Sequence, residues 1–306
     1  MSVRDSDILF IYEARLTNPN GDPDEENMPR MDRKTWTNLV SDVRLKRYFR
    51  DYLVDKYGWK SVWVTKVEGR HVDATKRVEH ITKSRNPDEV KSQVLENCID
   101  ARLFGATIPL KGAGGRGESI SITGPVQFTW GFSLHKVDLV DSSAITSIFK
   151  GREVEAEAGT IGRDYRVYYS MIAFYGRISS KRSLETKLSS DDIKLLDKYL
   201  WESIKLNTTT RSKIGQWPLL YLRVEYNDLY SIGDLRRFIS RSYSENVRDL
   251  DDVKLDFTKL FNKLSGVSDK INKIYIRIDE MFEELYGVKE GLEEIDNLSG
   301  RIEVIG

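Results

Sequence analysis

Four basic residues in one segment are spaced so that their side chains could bind phosphate groups jointly. They are Arg44, Lys46, Arg47 and Arg50. At about 100° of rotation per residue, Lys46 and Arg50 lie one helical turn apart, and the other two lie beside them. The apolar residues of the segment fall on the opposite side: Leu45, Tyr48, Phe49, Tyr52 and Leu53. The pattern predicts a helix with a buried apolar side and a solvent-facing basic side.

A solvent-facing row of cations suits a nucleic-acid backbone. Each lysine or arginine that faces a phosphate releases condensed counterions, and this contribution to affinity requires no particular base sequence. Two other interpretations stay open for the same residues. They are an ordinary solvated helix face and a surface that binds another protein.

The preceding segment carries side chains that could bind a metal ion. They alternate in the manner of calcium ligands: Asn18, Asn20, Asp22 and Asp24. An EF-hand counted from Asn18 would need glycine at Pro23 and glutamate at Pro29, so that motif is excluded. Asn-Pro-Asn-Gly-Asp-Pro is typical of a turn. A metal site made by Asp22, Asp24 and Asp32 is the minor interpretation, and we predict neither a metal nor another cofactor.

Other motifs do not indicate an active site. Gly112, Gly114 and Gly117 match a dinucleotide-binding pattern, but a strand pattern follows where that site needs a helix. Lys111 and Arg116 of this loop could still contact a nucleic-acid backbone. The three histidines lack zinc-site spacing, and Cys98 lies on an apolar helical stripe. We therefore predict that the chain is not an enzyme.

The composition is that of a soluble globular protein. The chain has 306 residues, of which 40% are hydrophobic and 31% are charged, with zero formal net charge. It has no long apolar run and one cysteine, so we expect a cytoplasmic protein without a membrane partner. Residues 33–60 contain eight basic and three acidic side chains, whereas the part after Tyr243 is acid-rich. A basic face could bind a polyanion while another face binds copies of the chain or another subunit.

Apolar patterns predict the elements that would position these residues. Strands are expected at 8–16, 61–68, 165–178, 218–226 and 273–278, with one bent strand or a hairpin at 119–137. Helices are expected after the turn, at 88–104 and at 189–206, and loops at 71–86 and 111–117. The aromatic residues of 165–175 lack the order of an RRM stacking strip and are expected in the core. The element order predicts an α+β fold with an antiparallel sheet on the ferredoxin-like, or RRM-like, plan.

Six segments resemble one known family. They are Asn-Pro-Asn-Gly-Asp-Pro (18–23), Asn-Leu-Val-Ser-Asp-Val-Arg-Leu-Lys-Arg-Tyr (38–48), Ala-Arg-Leu-Phe-Gly-Ala (101–106), Ile-Thr-Gly-Pro-Val-Gln-Phe (122–128), Ser-Leu-His-Lys-Val (133–137) and Gly-Arg-Asp-Tyr-Arg-Val-Tyr-Tyr (162–169). In this order they resemble the backbone subunit of type I CRISPR Cascade complexes, the seventh Cas family, in its I-B or a closely related form.

The resemblance implies a hand-shaped protein with an RRM-like palm and a thumb, which we expect at 138–162. The residue patterns add a finger or helical insertion at 69–118 and a C-terminal helical extension at 233–306, and we expect the whole of 1–306 to form one domain. Copies would polymerise along the guide RNA (crRNA), join other Cascade subunits and present the guide for pairing with target DNA in antiviral defence. The family's basic first helix matches Lys46 and Arg50. Loop cations that would also bind RNA are Arg30, Lys34, Lys111, Arg116, Arg163 and Arg166.

The type III relatives of this family suggest an alternative function. Type III relatives cut target RNA with a loop aspartate, and Asp32 lies in a comparable loop. The alternative is therefore a metal-dependent ribonuclease that acts through Asp22, Asp24 or Asp32. Magnesium-dependent cleavage that is lost on replacing Asp32 would favour this alternative.

Overall fold

The computed structural model describes residues 2–110, 118–141, 144–146, 161–207 and 210–306. Its helices are α1 (Asp42–Tyr57), α2 (Ala74–Ile81), α3 (Pro87–Asn97), α4 (Ile99–Phe104), α5 (Ser180–Thr186), α6 (Ser190–Lys205), α7 (Thr258–Ser265), α8 (Glu280–Tyr286) and α9 (Val288–Glu293). Among the described residues, no helix is both long enough and apolar enough to cross a bilayer.

The strands of the same residues are, in chain order, β1 (Ser6–Thr17), β2 (Gly21–Asp22), β3 (Met28–Pro29), β4 (Met31–Asp32), β5 (Thr37–Val40), β6 (Gly105–Leu110), β7 (Glu118–Thr123), β8 (Val126–Phe128), β9 (Gly131–Ser133), β10 (Ala144–Thr146), β11 (Ile161–Arg163), β12 (Val167–Ile178), β13 (Gln216–Tyr226), β14 (Ser240–Tyr243), β15 (Val253–Asp256), β16 (Ile271–Ile278) and β17 (Ile302–Val304).

A mixed sheet forms the centre of the molecule. Its strands lie in the order β17, β16, β13, β1, β12, β9, β5, β4, and β8 also pairs with β12. The pairs run antiparallel, except that β16 and β17 are parallel. In the two longest ladders, Phe10 of β1 lies opposite Phe174 of β12 and Tyr221 of β13. Aromatic and β-branched residues suit such a pleated surface, and the fold is mixed α/β.

Helices and the C-terminal part of the chain cover opposite faces of this sheet. Successive side chains of a strand point to opposite faces, and β1 supplies residues to two separate cores. Ile8 and Phe10 pack with apolar side chains of α1 and α6. Leu9 and Ile11 pack with apolar side chains from residues 219–298. All four are fully buried, so both faces of the central strand are covered.

Several elements agree closely with the sequence patterns. The helix expected at 189–206 is α6, which Ser189 begins with a reciprocal capping box to Asp192. The strands expected at 8–16, 165–178, 218–226 and 273–278 are β1, β12, β13 and β16. The aromatic residues Tyr169 and Phe174 of β12 are fully buried, as expected of core residues.

The strand expected at 61–68 is wrong. A short 3-10 turn occupies Trp59–Ser61, and the only bridge in the following residues joins Val67 to Arg70. The reason is that the backbone N–H groups of this stretch have another acceptor. The Asp100 carboxylate accepts from the Trp63 N–H at 2.6 Å and from the Val64 N–H at 3.2 Å.

The region expected to be an insertion contains more helix than the sequence indicated. The loop expected at 71–86 includes α2, because Asp73 caps its first turn by accepting from the Lys76 N–H. Arg77 of α2 is buried and donates to the carbonyls of Val62 and Trp63. The helix expected at 88–104 is divided into α3 and α4, because Cys98 between them has an extended backbone.

The remaining predicted segments differ in detail from the structure. Residues 119–137 form three strands, β7, β8 and β9, rather than one strand or hairpin, and β7 pairs with β6. The loop at 111–117 and most of the expected thumb at 138–162 lie outside the described residues. Of that thumb, β10 pairs with β11. Region 233–306 contributes strands β14 to β17 as well as helices.

Candidate nucleic-acid interface

The Asn-Pro-Asn-Gly-Asp-Pro stretch forms a polar turn that is fixed against the start of α1. Asn20 Oδ1 accepts hydrogen bonds from the Ser41 N–H (2.9 Å) and hydroxyl (3.0 Å). Ser41 is the N-cap of α1 and accepts from the Arg44 N–H at 3.2 Å. Asn18 Nδ2 donates to the Asn27 carbonyl at 2.7 Å. The amide side chains therefore satisfy backbone groups, as expected for a turn, and fix the position of α1.

The carboxylates of the minor metal interpretation are engaged by other groups. The Asp22 carboxylate lies 3.1 Å from Arg30 Nη1 and accepts from the Asp24 N–H. Asp32 accepts from the Lys34 N–H at 3.0 Å and from a neighbouring threonine hydroxyl, and these hydrogen bonds lower the pKa of its carboxyl group. Within the described ranges, no three His, Cys, Asp or Glu side chains are grouped to hold a metal ion.

Lys46 and Arg50 lie together on α1, but they are buried. Lys46 is 9% exposed and its ammonium group lies 3.0 Å from the Asp42 carboxylate. Arg50 is 8% exposed, and its Nε donates to the Asp100 carboxylate at 2.8 Å. Asp100 has no exposed surface. The expectation that this side of α1 faces solvent is therefore wrong.

The cause of this burial is the insertion that follows α1. Phe104 of α4 packs over the basic side, and both Lys46 Nζ and the Arg50 guanidinium carbon lie 5.5 Å from its ring centroid. Lys46 also reaches Gln127 of β8 at 3.4 Å. The helical spacing of the two cations is as predicted. Their contact with RNA stays a prediction, and it would require them to exchange buried partners for phosphate.

Arg44 and Arg47 lie at the edge of the same helix and are half-buried. Arg47 pairs with Asp51 and donates to the Val64 carbonyl at 2.9 Å. The Arg44 guanidinium stacks on the Tyr48 ring with its carbon 4.1 Å from the ring centroid. Both arginines line an open groove of about 720 Å³ between α1 and residues 59–72. The two cations therefore border this groove.

Four cations from three parts of the chain converge on residues 16–26, which we call the turn segment. Each forms an ion pair or a hydrogen bond with it: Arg30 with Asp22, Arg163 with Glu26, Arg166 with the Leu16 carbonyl, and Lys213 with the Asn18 carbonyl. Two of these contacts come from Arg163 and Arg166, which precede β12. The turn segment itself contains four acidic residues, so the arrangement brings basic and acidic side chains together at one end of the sheet.

The other predicted loop cations have different surroundings. Lys34 is exposed at the turn between β4 and β5, and within the described ranges its side chain forms no ion pair. Arg166 is also held by Asp164 at 2.8 Å, and Arg30 approaches the exposed Trp130 ring. Lys111 and Arg116 lie outside the described residues.

Lys213 is a residue that the sequence patterns did not indicate. It lies in the loop before β13, and antiparallel pairing with β1 brings this loop to the turn segment. The Arg15 N–H donates to the Gly215 carbonyl at 2.8 Å, and the Asn18 N–H donates to the Ser212 carbonyl at 2.9 Å. Burial and the neighbouring Arg44 lower the pKa of the Lys213 ammonium group to about 7. No local motif marks this lysine, because its neighbours are set by strand pairing.

Known proteins are similar to this chain over most of its length. The family model described as CRISPR-associated protein Cas7 matches residues 4–258. A CRISPR-associated protein Cas7 from Haloferax volcanii is 32% identical over 334 aligned residues, which cover 97% of each chain. A chain in a solved CRISPR RNA-guided surveillance complex is 15% identical with a TM-score of 0.51, and the match covers 90% of this chain and 89% of that one. This last similarity is one of fold.

Proposed function

Because the chain belongs to the Cas7 family, we propose that it is a crRNA-binding backbone subunit of a CRISPR surveillance complex. The observation that carries the proposal is the convergence of cations from separate parts of the chain on the turn segment. Arginine and lysine side chains at such a surface would hold guide phosphates, so that binding needs no base sequence. Base pairing by the guide would then supply the sequence specificity.

We further propose that the complex is of the Cascade type. Copies of the chain would polymerise along the guide in the cytoplasm, join other Cascade subunits and present the guide to target DNA. The central strand order β13, β1, β12, β9, with α1 and α6 on one face, supports an RRM-like palm. Residues 69–118 would be the finger, 138–162 the thumb and 233–306 a C-terminal extension. The subunit itself would catalyse no reaction.

The proposed RNA contacts fall into two groups. Cations at the turn segment or in loops would meet the phosphates directly: Arg30, Lys34, Lys111, Arg116, Arg163 and Arg166. On α1, Arg44 and Arg47 are accessible from the groove. Lys46 and Arg50 would support binding by holding α1 against the insertion, and they would contact RNA only after leaving Asp42 and Asp100.

The test is purification of the chain from cells that express a matching guide and the partner subunits. We expect a large RNA-containing species in size-exclusion chromatography with light scattering, with a raised 260/280 nm absorbance ratio. The variant Lys34→Glu/Arg163→Glu should weaken binding to unrelated RNA sequences alike. The control variant Lys181→Glu/Lys198→Glu makes the same charge change at exposed positions on α5 and α6 and should bind as the wild type does. A wild-type monomer free of RNA would refute the proposal.

A further inference from the structure

Arg44 and Lys213 form a pair of adjacent cations without an acidic partner. The Arg44 guanidinium lies on the Tyr48 ring, and its Nε and Nη2 atoms are buried without a hydrogen-bond partner in the described structure. Lys213 Nζ donates to the Asn18 carbonyl. Within the described ranges, neither side chain forms an ion pair with a carboxylate. Two like charges in a partly buried site are unfavourable unless an anion joins them.

The fold holds the two cations in a fixed relation. The Tyr48 hydroxyl lies 3.0 Å from both the Pro19 carbonyl and Gln216 Oε1. Gln216 Nε2 in turn donates to the Lys213 carbonyl at 3.0 Å. Tyr48 thus connects the helix that carries Arg44 to the loop that carries Lys213. These contacts hold the two cations in position before a ligand binds.

Two further polar atoms at this place lack partners. The Tyr12 hydroxyl and Asn18 Oδ1 are buried without hydrogen bonds in the described part of the chain. Tyr12 is close enough to Arg44 and Tyr48 for both to influence the pKa of its phenol, which burial raises. Buried polar groups are normally satisfied, so a cluster of exceptions indicates a missing partner. Three of the four unpaired atoms can donate a hydrogen bond, and an oxygen anion could accept from them and pair with the ammonium group.

We propose that Arg44 and Lys213 together bind one phosphodiester group of the guide RNA. The inference rests on the proposed function for the nature of the ligand. A phosphodiester carries one negative charge and two non-bridging oxygens, so one oxygen can accept from each cation. The Tyr12 hydroxyl can donate to the same group. Because the phosphate favours the charged amine, a neutral Lys213 would take up a proton from solvent as the phosphate binds.

The proton uptake gives binding a defined pH dependence. In the free protein the pKa of Lys213 is about 7, lowered by burial and then by Arg44. Arg44 is the charged group that acts on this side chain, and the phenols of Tyr12 and Tyr48 lie beside Arg44. A bound phosphate would raise the pKa again, because it favours the charged amine. Affinity should therefore be constant below pH 7 and should fall above it, by up to about tenfold per pH unit.

The test compares RNA affinities of the full chain by fluorescence anisotropy at pH 6.5, 7.5 and 8.5. The probe is a short single-stranded RNA of arbitrary sequence. We expect Lys213→Met to weaken binding about tenfold at pH 6.5, to flatten the salt slope by about 0.7 and to remove the pH dependence. Lys213→Arg should keep the affinity and bind better than the wild type at pH 8.5, since its charge does not titrate. Lys181→Met, an exposed lysine on α5, is the matched control.

Calorimetry supplies a second measurement, which is made first on the wild-type chain. RNA binding at pH 7.5 in two buffers with different ionisation enthalpies should reveal net proton uptake of about half a proton or more per subunit, absent in Lys213→Arg. Unchanged affinity and pH dependence in Lys213→Met would overturn the phosphate site while leaving RNA binding intact. Absence of RNA binding by the wild-type chain would instead overturn the proposed function, and the phosphate site with it.

Discussion

The buried ion pair between Arg50 and Asp100 makes a strong prediction about stability. Replacing Asp100 with alanine leaves the guanidinium buried without its partner, and it also removes the acceptor of two backbone N–H groups, those of Trp63 and Val64. Breaking one side of a buried pair costs about 3 to 5 kcal/mol. We therefore expect Asp100→Ala to lower the free energy of unfolding by at least about 3 kcal/mol.

The assay is urea unfolding of the purified chain, with thermal unfolding as a second measurement. For a chain of this size, a loss of that magnitude should lower the midpoint temperature by roughly 5 °C or more. Asp51→Ala is the matched control, because Asp51 pairs with Arg47 one turn away on the same helix but is partly exposed. Its loss should cost below about 1 kcal/mol.

A third variant separates the charge from the packing. Asp100→Leu combined with Arg50→Met removes both charges and keeps apolar volume, so it should be more stable than Asp100→Ala alone. Equal stability of Asp100→Ala and Asp51→Ala would contradict the role of Asp100 as a buried hydrogen-bond acceptor. The explanation for the absent strand at residues 61–68 would then fail as well.

Three other predictions concern the turn, a buried histidine and the ribonuclease alternative. Asn20→Ala removes two hydrogen bonds to Ser41 and should cost about 1 to 2 kcal/mol in urea unfolding; a loss within error of zero would mean that the turn does not anchor α1. Burial lowers the pKa of His135 from 6.5 to about 4, so the unfolded state binds the proton first as pH falls. Stability should be full above pH 6.5 and should decline by up to about 3 kcal/mol towards pH 4. His135→Gln should remove that part of the pH dependence, and equal slopes in both proteins would contradict the assignment. Complementary RNA should stay intact with magnesium; cleavage that disappears in Asp32→Ala would establish the ribonuclease instead.

Local sequence patterns correctly predicted the helices and strands whose determining residues lie within the element itself. Helix α6 has a serine cap and an apolar stripe, and β1, β12 and β13 are rich in apolar, aromatic and β-branched residues. The stretch at 61–68 also has an alternating pattern, but Asp100, almost forty residues away, takes its backbone donors. A window of eight residues contains no information about such a partner.

The sequence predicted which residue types lie together at the candidate site, but it did not predict which of their side chains are buried. Helical spacing correctly placed Lys46 beside Arg50, but it could not reveal that Phe104 covers them. A helical projection separates the polar side of a helix from its apolar side. It does not show whether another part of the chain packs on the polar side. Lys213 could not be found at all, because it joins the turn segment only through the pairing of β1 with β13.

The covered sheet bears on where RNA would bind. RRM domains bind bases by stacking them on aromatic side chains of an open sheet face. Here Leu9 and Ile11 of β1 and Tyr169 of β12 lie on the face opposite α1 and α6, and residues from the C-terminal part of the chain bury them completely. That face is closed to bases. Cations at the end of the sheet remain, and cations attract phosphates whatever the base sequence. A subunit with the proposed function would need this kind of contact, because it would have to bind guides of any sequence.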